Sequence, residues 1–219
     1  MPQDNGFYAL HSFLAQPVGW EAVSEAVDTI GRQAVTAAGG AIYGAWRSQI
    51  GRPRDHVTVI TRWNDLPGAI VAEHVLSDEL PNLRKVHTVV MTPTLRPLNA
   101  EPPTRQGNFA FRSFTLPETN LDEFLDLCAG AWPGFESAYD SQIIGMWRHH
   151  GEVEGEVNCL LITRRLNLAM WERSKIPENP DEAEVRRKLS RRYDLCIDTD
   201  VFTTTLLTAK DTKDTARWT

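Results

Sequence analysis

Apolar and polar residues follow one another along the first hundred positions in a pattern that predicts six secondary-structure elements. Short apolar or alternating segments that end at turn residues are typical of strands, whereas apolar residues spaced three and four apart are typical of one helix face. Trp20, Val23 and Val27 begin such a helical spacing, and Gly39-Gly40 ends that segment. The predicted order is strand, helix, strand, strand, helix, strand, over residues 7–14, 19–38, 41–49, 57–63, 67–76 and 86–92.

The second half of the chain repeats this order. The block Ile42-x-Gly44-x-Trp46-Arg47 recurs 101 positions later, at 143–148, and the block Ile60-Thr61-Arg62 recurs 102 positions later, at 162–164. A repeat at a nearly fixed shift indicates two copies of one structural unit of about 100 residues. In the second copy, a helix is predicted from about residue 121, and strands are predicted over residues 109–115, 142–150, 159–165 and 201–208.

The second copy is longer than the first between its third and fourth strands. Val89 matches Thr205 at a shift of 116 positions instead of 102, so this copy has about 14 additional residues there. Asn179-Pro180 is a typical helix start. The added segment therefore predicts an extra helix near residues 180–193, and its basic residues, from Arg186 to Arg192, are interpreted as a solvated helix face.

These patterns predict two units: residues 1–97 and residues 107–209, joined by a linker over 98–106 and followed by a polar tail over 210–219. The βαββαβ order is that of the ferredoxin-like module. Helices on one face of its antiparallel sheet leave the other face apolar and bare, so two such faces are expected to bury each other. We predict an α+β fold in which two tandem ferredoxin-like units pack sheet to sheet as an intramolecular α+β barrel.

Composition narrows the classes of partner. The 219 residues carry a net charge of -6. A nucleic-acid surface is usually basic, so nucleic acid is not expected as a partner. No apolar run has the roughly 20 residues of a membrane span, and no secretory signal is visible. The three cysteines form no close pair, which favours reduced thiols in the cytoplasm and gives no metal-site spacing.

The second strand with its Gly-x-Trp-Arg block, the turn after it, and a third strand ending near Arg62 or Arg164 resemble the NIPSNAP family of the dimeric α+β barrel superfamily. The resemblance implies a barrel made from two units, usually supplied by a homodimer and here present in one chain. It also implies relatives that are cofactor-free monooxygenases, lactone isomerases, cyclases or haem proteins. The family's first strand often carries an arginine, present here as Arg112 but replaced by His11 in the first copy, so a single asymmetric site is expected.

Two residues of the first strands are the candidates for catalysis. His11 shares a strand face with Ala9 and Phe13, and Arg112 occupies the matching position in the second copy. We predict that this face lines the barrel lumen. An imidazole can move a proton near neutral pH, and a guanidinium can stabilise a carboxylate or enolate oxygen. The alternative is that both side chains pair with structural carboxylates at the barrel mouth.

Ligand contacts in the lumen are predicted for Trp46, Trp147, His149, Phe13 and Phe114. The alternative for the two tryptophans is ordinary core packing. No metal or other cofactor is expected from the residues. Haem-degrading members of the superfamily bind iron through a histidine on the helix that carries His74 here, so haem stays open as a possibility implied by the resemblance.

The sequence favours a small-molecule-binding barrel protein, with three alternatives for its action. The first is a cofactor-independent enzyme, of monooxygenase, isomerase or cyclase type, acting on a small oxygenated organic molecule in the lumen. The second is a non-catalytic metabolite binder or scaffold, and the third is a haem-binding protein. Whether the protein is an enzyme, and whether it forms a homo-oligomer, stays open at this stage.

Overall fold

The computed structural model describes residues 4–151 and 153–210. The first half contains β1 (Phe7–Ala15), α1 (Trp20–Ala26), a π-helical turn (Val27–Gly31), α2 (Arg32–Ala37), β2 (Gly40–Ile50), β3 (His56–Trp63), α3 (Leu66–Ser77) and β4 (Leu83–Arg96). The second half contains β5 (Asn108–Pro117), a 3-10 turn (Glu118–Asn120), α4 (Leu121–Ala138), β6 (Gln142–His149), β7 (Glu156–Arg165), α5 (Leu168–Arg173), α6 (Pro180–Asp194) and β8 (Asp198–Leu206).

Within these residues the eight strands close into one antiparallel barrel in the order β1-β3-β2-β8-β5-β7-β6-β4. Each half supplies four strands, with its first strand paired to its third and fourth. The halves join where β2 pairs with β8 and where β4 pairs with β6. The fold is therefore mixed α+β, with helices outside a closed sheet. No helix in the described part of the chain is long and apolar enough to span a membrane.

The interior of the barrel is filled by large side chains, which we call the barrel core. Trp46 packs edge-on against Phe111 of the other half, with ring centroids 5.2 Å apart. In the reciprocal position, Trp147 lies 5.4 Å from the ring of Tyr8. Both tryptophans are fully buried. The members of the barrel core are Tyr8, Tyr43, Trp46, Ile60, Met91, Phe109, Phe111, Ile144, Trp147, Leu160, Ile162, Phe202 and Leu206.

The repeated Gly-x-Trp block has a steric cause. Residues two apart on a strand point to the same side, so Gly44 lies beside Trp46, and Gly145 lies beside Trp147. A Cβ at either glycine would overlap with the neighbouring indole. The pairing of β2 with β3 also shifts register at Gly44, and that of β6 with β7 shifts at Gly145. Glycine therefore lets each indole lie flat over its own strand and reach the opposite half.

Two further cores lie between the outside of the sheet and the helices. The first outer core lies between the strands β1, β2 and β3 and the helices α1, α2 and α3. Its members include Ala9, Phe13, Val23, Val35, Trp63, Ala69, Ala72 and Leu76. The second outer core lies beneath α4 and α6, and includes Phe114, Leu116, Phe124, Cys128, Trp132, Phe135, Leu161, Val185 and Leu189. These two cores hold the helices on the barrel.

The helix starts follow local chemistry. The side chain of Asp65 accepts a hydrogen bond from the backbone N–H of Gly68 at 2.8 Å and so caps α3. Asn179 does the same for α6, accepting from the N–H of Glu182 at 2.9 Å. Arg191 and Arg192 occupy the last turn of α6, where the helix dipole favours positive charge. Apart from Lys210, the predicted polar tail lies outside the described residues.

Candidate functional site

The prediction that His11 faces the lumen is wrong. On β1, Tyr8 and Leu10 contact the barrel core, whereas Ala9 and Phe13 belong to the first outer core. His11 shares the face of Ala9 and Phe13, and its ring stacks on Phe13 with centroids 5.6 Å apart. The physical reason is that the wide barrel interior takes the bulky side chains, while helices lie close to the sheet over alanines.

His11 is a satisfied core histidine. It is 0% exposed, its Nε2 lies 2.9 Å from the hydroxyl of Thr61, and its Nδ1 lies 3.0 Å from the hydroxyl of Thr88. Burial lowers the pKa of His11 to about 3. The ring is therefore neutral at physiological pH and has no access to a ligand in the lumen.

Arg112 is likewise on the outer face and not in the lumen, because Ala110 and Phe114, two positions away on either side, point away from the barrel core. Its guanidinium carbon lies 5.7 Å from the ring centroid of Tyr193, on α6. The predicted lumen contacts of Phe13 and Phe114 are wrong for the same reason: both belong to outer cores.

Three predicted residues do face the interior. Trp46 and Trp147 are in the barrel core, in the packed arrangement described above. His149 pairs with Met91, a barrel-core residue, so it points to the same side. Its Nε2 has no hydrogen-bond partner in the described part of the chain, and burial lowers its pKa to about 4. His74 lies on α3, outside the barrel.

A cavity with room for a ligand lies between the outer face of the second-half sheet and helices α4, α5 and α6. This cavity has a volume of about 110 Å³ and is partly open to solvent. That is space for several water molecules or one compact organic molecule. Its aromatic walls are Trp132, Phe135, Trp171 and Tyr193, and its cationic residues are Arg112, Arg165, Lys175, Arg186 and Arg192.

Arg165, at the end of β7, is a buried cation that has no charged partner among the described residues. It is 8% exposed, and its Nη1 donates to the hydroxyl of Thr163 at 2.9 Å. Its Nε is buried without a hydrogen-bond partner among the described residues. The guanidinium carbon lies 5.2 Å from the rings of both Phe135 and Trp171. Burial, with the nearby charge of Arg112, lowers the pKa of Arg165 to about 10, so the side chain is still cationic at pH 7.

Arg192, on α6, is also buried, at 4% exposure. Its Nη1 donates to the Sγ of Cys128 at 3.2 Å, and its guanidinium lies over Phe114 at 5.3 Å. Its Nε has no hydrogen-bond partner in the described residues. The interpretation of the whole basic run as a solvated face is therefore wrong at Arg192, although Arg187 and Arg191 do form exposed ion pairs.

The cavity is short of negative charge. None of the described residues lining it is an aspartate, glutamate or histidine. Each cation–π contact contributes about 0.5–2 kcal/mol, whereas burying an unpaired ion costs several kcal/mol. The aromatic rings thus offset only part of the cost of holding Arg165 and Arg192 in place. Such an arrangement can bind an anion and stabilise negative charge that develops on it.

Sequence reasoning missed Arg165, although a signal was present. The repeated block Ile60-Thr61-Arg62 continues by one residue to Trp63 in the first copy and to Arg165 in the second. Extending the alignment by that residue would have shown an apolar side chain replaced by a cation on a buried strand.

Solved structures of the same fold cover nearly the whole chain. An anthrone oxidase-like protein aligns over 93% of this chain and 92% of its own, with a TM-score of 0.62 and 12% identity. A candidate monooxygenase from Lactobacillus acidophilus aligns over 93% and 94%, with a TM-score of 0.59 and 9% identity. A haem-binding protein from Thermus thermophilus aligns over 94% and 95%, with a TM-score of 0.51 and 14% identity.

At these identities the likeness shows a shared α+β barrel fold. Neither a model of a known protein family nor a curated protein sequence matches the chain.

Proposed function

We propose that the protein binds a small organic anion in the cavity of its second half. The observation that carries this proposal is the burial of Arg165 and Arg192, each with an Nε that has no partner among the described residues, beside a cavity whose described lining has no carboxylate. Unpaired buried cations are costly, so their natural complement is an anion. The aromatic walls suit a flat, apolar ligand body.

The finer proposal is that this barrel is a tandem pair of ferredoxin-like units related to the NIPSNAP family. The matching strand pairing in the two halves and the register shifts at Gly44 and Gly145 support a duplicated unit. The Gly-x-Trp-Arg blocks support the family. The fold shared with an anthrone oxidase-like protein and a candidate monooxygenase supports a ligand of the same general kind, a small oxygenated organic molecule.

A second candidate function is cofactor-independent catalysis at the same cavity. Arg112 lies beside Tyr193, and guanidiniums in this partly enclosed cavity would stabilise an enolate as it forms. Because the described lining has no carboxylate or imidazole, the α-proton would pass to a water or buffer base that enters at the open side of the cavity. His11 has no part in this candidate, because it lies in the other half. Transfer of a ligand's α-proton to solvent distinguishes catalysis from binding: an enzyme exchanges that proton in D₂O, as followed by NMR, and a simple binder does not.

The second-half cavity offers no support for the haem alternative. The described lining of the cavity has no histidine, and His74 lies on α3 of the other half. Among the described residues, no histidine lies in the arginine-lined cavity to bind a haem iron.

The experiment is a thermal-stability titration of the full chain with benzoate at constant ionic strength. Binding at 100 times the dissociation constant stabilises a protein by about 2.7 kcal/mol, which raises the Tm of a chain this size by roughly 5–10 °C. We expect that rise in the wild type and in Arg187→Gln, whose guanidinium is in an exposed ion pair with Glu184. Arg165→Met should lose it.

If benzoate raises the Tm no more than chloride at equal ionic strength, the proposal is wrong. It is also wrong if Arg165→Met responds like the wild type.

A further inference from the structure

Many arginines outside the second-half cavity are paired with a carboxylate: Arg32, Arg52, Arg62, Arg96, Arg148, Arg173, Arg187 and Arg191 each lie within 4.0 Å of one. Arg47 has no ion pair with a described residue, but the charges of Asp55 and Glu21 act on it and raise its pKa against the effect of burial. The four arginines that line the second-half cavity have no ion pair with any described residue. They are Arg112, Arg165, Arg186 and Arg192.

These four side chains share one space. Burial lowers the pKa of Arg112, and the charges of Arg192 and Arg186 lower it further, whereas Tyr193 and Asp200 act in the opposite direction. Burial likewise lowers the pKa of Arg165, and the charge of Arg112 adds to that effect. Arg112 is thus within electrostatic reach of the other three. Neither Arg112 nor Arg186 makes a side-chain hydrogen bond within the described part of the chain.

The cluster also has an inner and an outer part. Arg165 and Arg192 are buried, whereas Arg112 and Arg186 are at least partly exposed. Lys175, which is paired with Glu172 at 3.1 Å, also lines the cavity. One negative charge could contact the inner guanidiniums, but it would leave Arg186 without a partner.

Resting on the proposed function, we infer that the ligand is a compact organic dianion, with one charge at the inner pair, Arg165 and Arg192, and a second toward the outer pair, Arg112 and Arg186. The shared chemistry is two negative charges on a flat, compact body, which suits aromatic walls around a cavity of about 110 Å³. An aromatic dicarboxylate and an aryl phosphate both have this chemistry.

Matched ligands and variants test the inference. Benzoate, phthalate and phenyl phosphate have the same ring and differ in charge. Their affinities for the full chain would be measured by isothermal titration calorimetry at one ionic strength and at a pH where the last two are dianions. We expect at least one dianion to bind at least tenfold more tightly than benzoate.

Variants on α6 locate the second charge. In Arg186→Gln the advantage of the dianion over benzoate should fall below threefold, with benzoate affinity little changed. In Arg187→Gln, one position along the same helix, the advantage should persist. The dianion that binds more tightly to the wild type identifies the source as dicarboxylate or phosphate ester.

Two results would overturn the inference while leaving the proposed function intact. One is benzoate binding as tightly as both dianions. The other is Arg186→Gln weakening benzoate and the dianions by the same factor. Absence of binding by all three probes would instead contradict the proposed function itself.

Discussion

The two sheet–helix interfaces of this protein are built on the same strands and differ in what they contain. In the first half, the hydroxyl of Thr61 accepts a hydrogen bond from the indole Nε1 of Trp63 at 2.8 Å. In the second half, the matching Thr163 accepts one from the guanidinium of Arg165 at 2.9 Å. The matching threonine thus holds the indole of Trp63, which fills space, in the first half and the guanidinium of Arg165, which lies beside a cavity, in the second half.

The helices that follow the third strand of each half also differ in how closely they pack on the sheet. In the first half, α3 packs on the sheet through Ala69, Ala72 and Leu76, all fully buried. The described residues of α5, which follows the matching strand, are not buried. The additional helix α6 instead packs against α4, and its Arg192 reaches the ring of Phe114 on β5. Insertion of α6 therefore coincides with the opening of the cavity.

Within one fold, the first sheet–helix interface thus serves stability, whereas the second has the features of a binding site. The first interface satisfies His11 and Trp63 with hydroxyl partners. Its Arg47, which stacks on Trp20 at 4.1 Å, has an Nε without a hydrogen-bond partner among the described residues but lies near the charges of Asp55 and Glu21. The second interface leaves cations without a charged partner among the described residues, which costs stability and is typical of a binding site. The barrel core, in which Trp46 and Trp147 play equal parts, is common to both halves.

Placing an arginine at position 63 of the first half, which matches Arg165 of the second half, should have the largest effect on the free energy of unfolding. Trp63→Arg removes a buried indole and leaves a cation without a partner among apolar residues. We expect a loss of at least about 4 kcal/mol of unfolding free energy, measured by urea denaturation. Trp63→Phe, which keeps an apolar ring, should cost about half as much. A loss below about 1 kcal/mol for Trp63→Arg would mean that the first interface tolerates a cavity-type residue.

Replacing the cation of the second half by an apolar residue should raise the stability of the ligand-free protein. Arg165→Met replaces an unpaired buried cation by an apolar chain of similar length, and we expect a gain of about 1–2 kcal/mol in urea denaturation. A gain in stability combined with loss of anion binding is the signature of a functional residue. Clear destabilisation would indicate that Arg165 serves the fold instead.

The first interface should also make the stability of the protein depend on pH through His11. The folded-state pKa of His11, about 3, is below its usual value of 6.5, so the unfolded state takes up the proton first. Its contribution is present above pH 6.5 and is lost as the pH falls toward 3. His56 and His149, with pKa values lowered to about 4, act in the same direction.

Comparison of His11→Phe with the wild type isolates this residue. Between about pH 6 and pH 4, the unfolding free energy of the wild type should fall more steeply, by up to about 1.4 kcal/mol per pH unit. The variant starts lower by about 1–3 kcal/mol, because Thr61 and Thr88 lose a partner. Equal slopes in urea titrations of the two proteins would show that His11 is not buried as a neutral ring.

Most of the fold was predictable from the repeat and the strand–helix order. These led to a mixed α+β barrel, since the repeated Gly-x-Trp blocks mark strands with a steric requirement. Period-two alternation could not tell which face of β1 is the interior, because both faces are apolar and bulky. His11 and Arg112 were therefore assigned to the wrong side.

The candidate site was less accessible to sequence reasoning. A basic run on a helix is usually solvated, and the burial of Arg192 depends on how α6 lies across Phe114 and Cys128. That placement is set by tertiary packing. Arg165 could have been found by comparing the two copies one residue further along the third strand.

The central claim, that unpaired guanidiniums of the second half hold an organic anion, is tested most directly by NMR of arginine Nε–Hε groups in the full chain. The Arg165 and Arg192 signals would be assigned with Arg165→Lys and Arg192→Lys. On addition of phthalate at constant ionic strength, at least the Arg165 signal should shift and saturate, while that of Arg187, paired with Glu184, should stay fixed. An Arg165 signal that does not move, or that moves without saturation together with Arg187, would contradict the account.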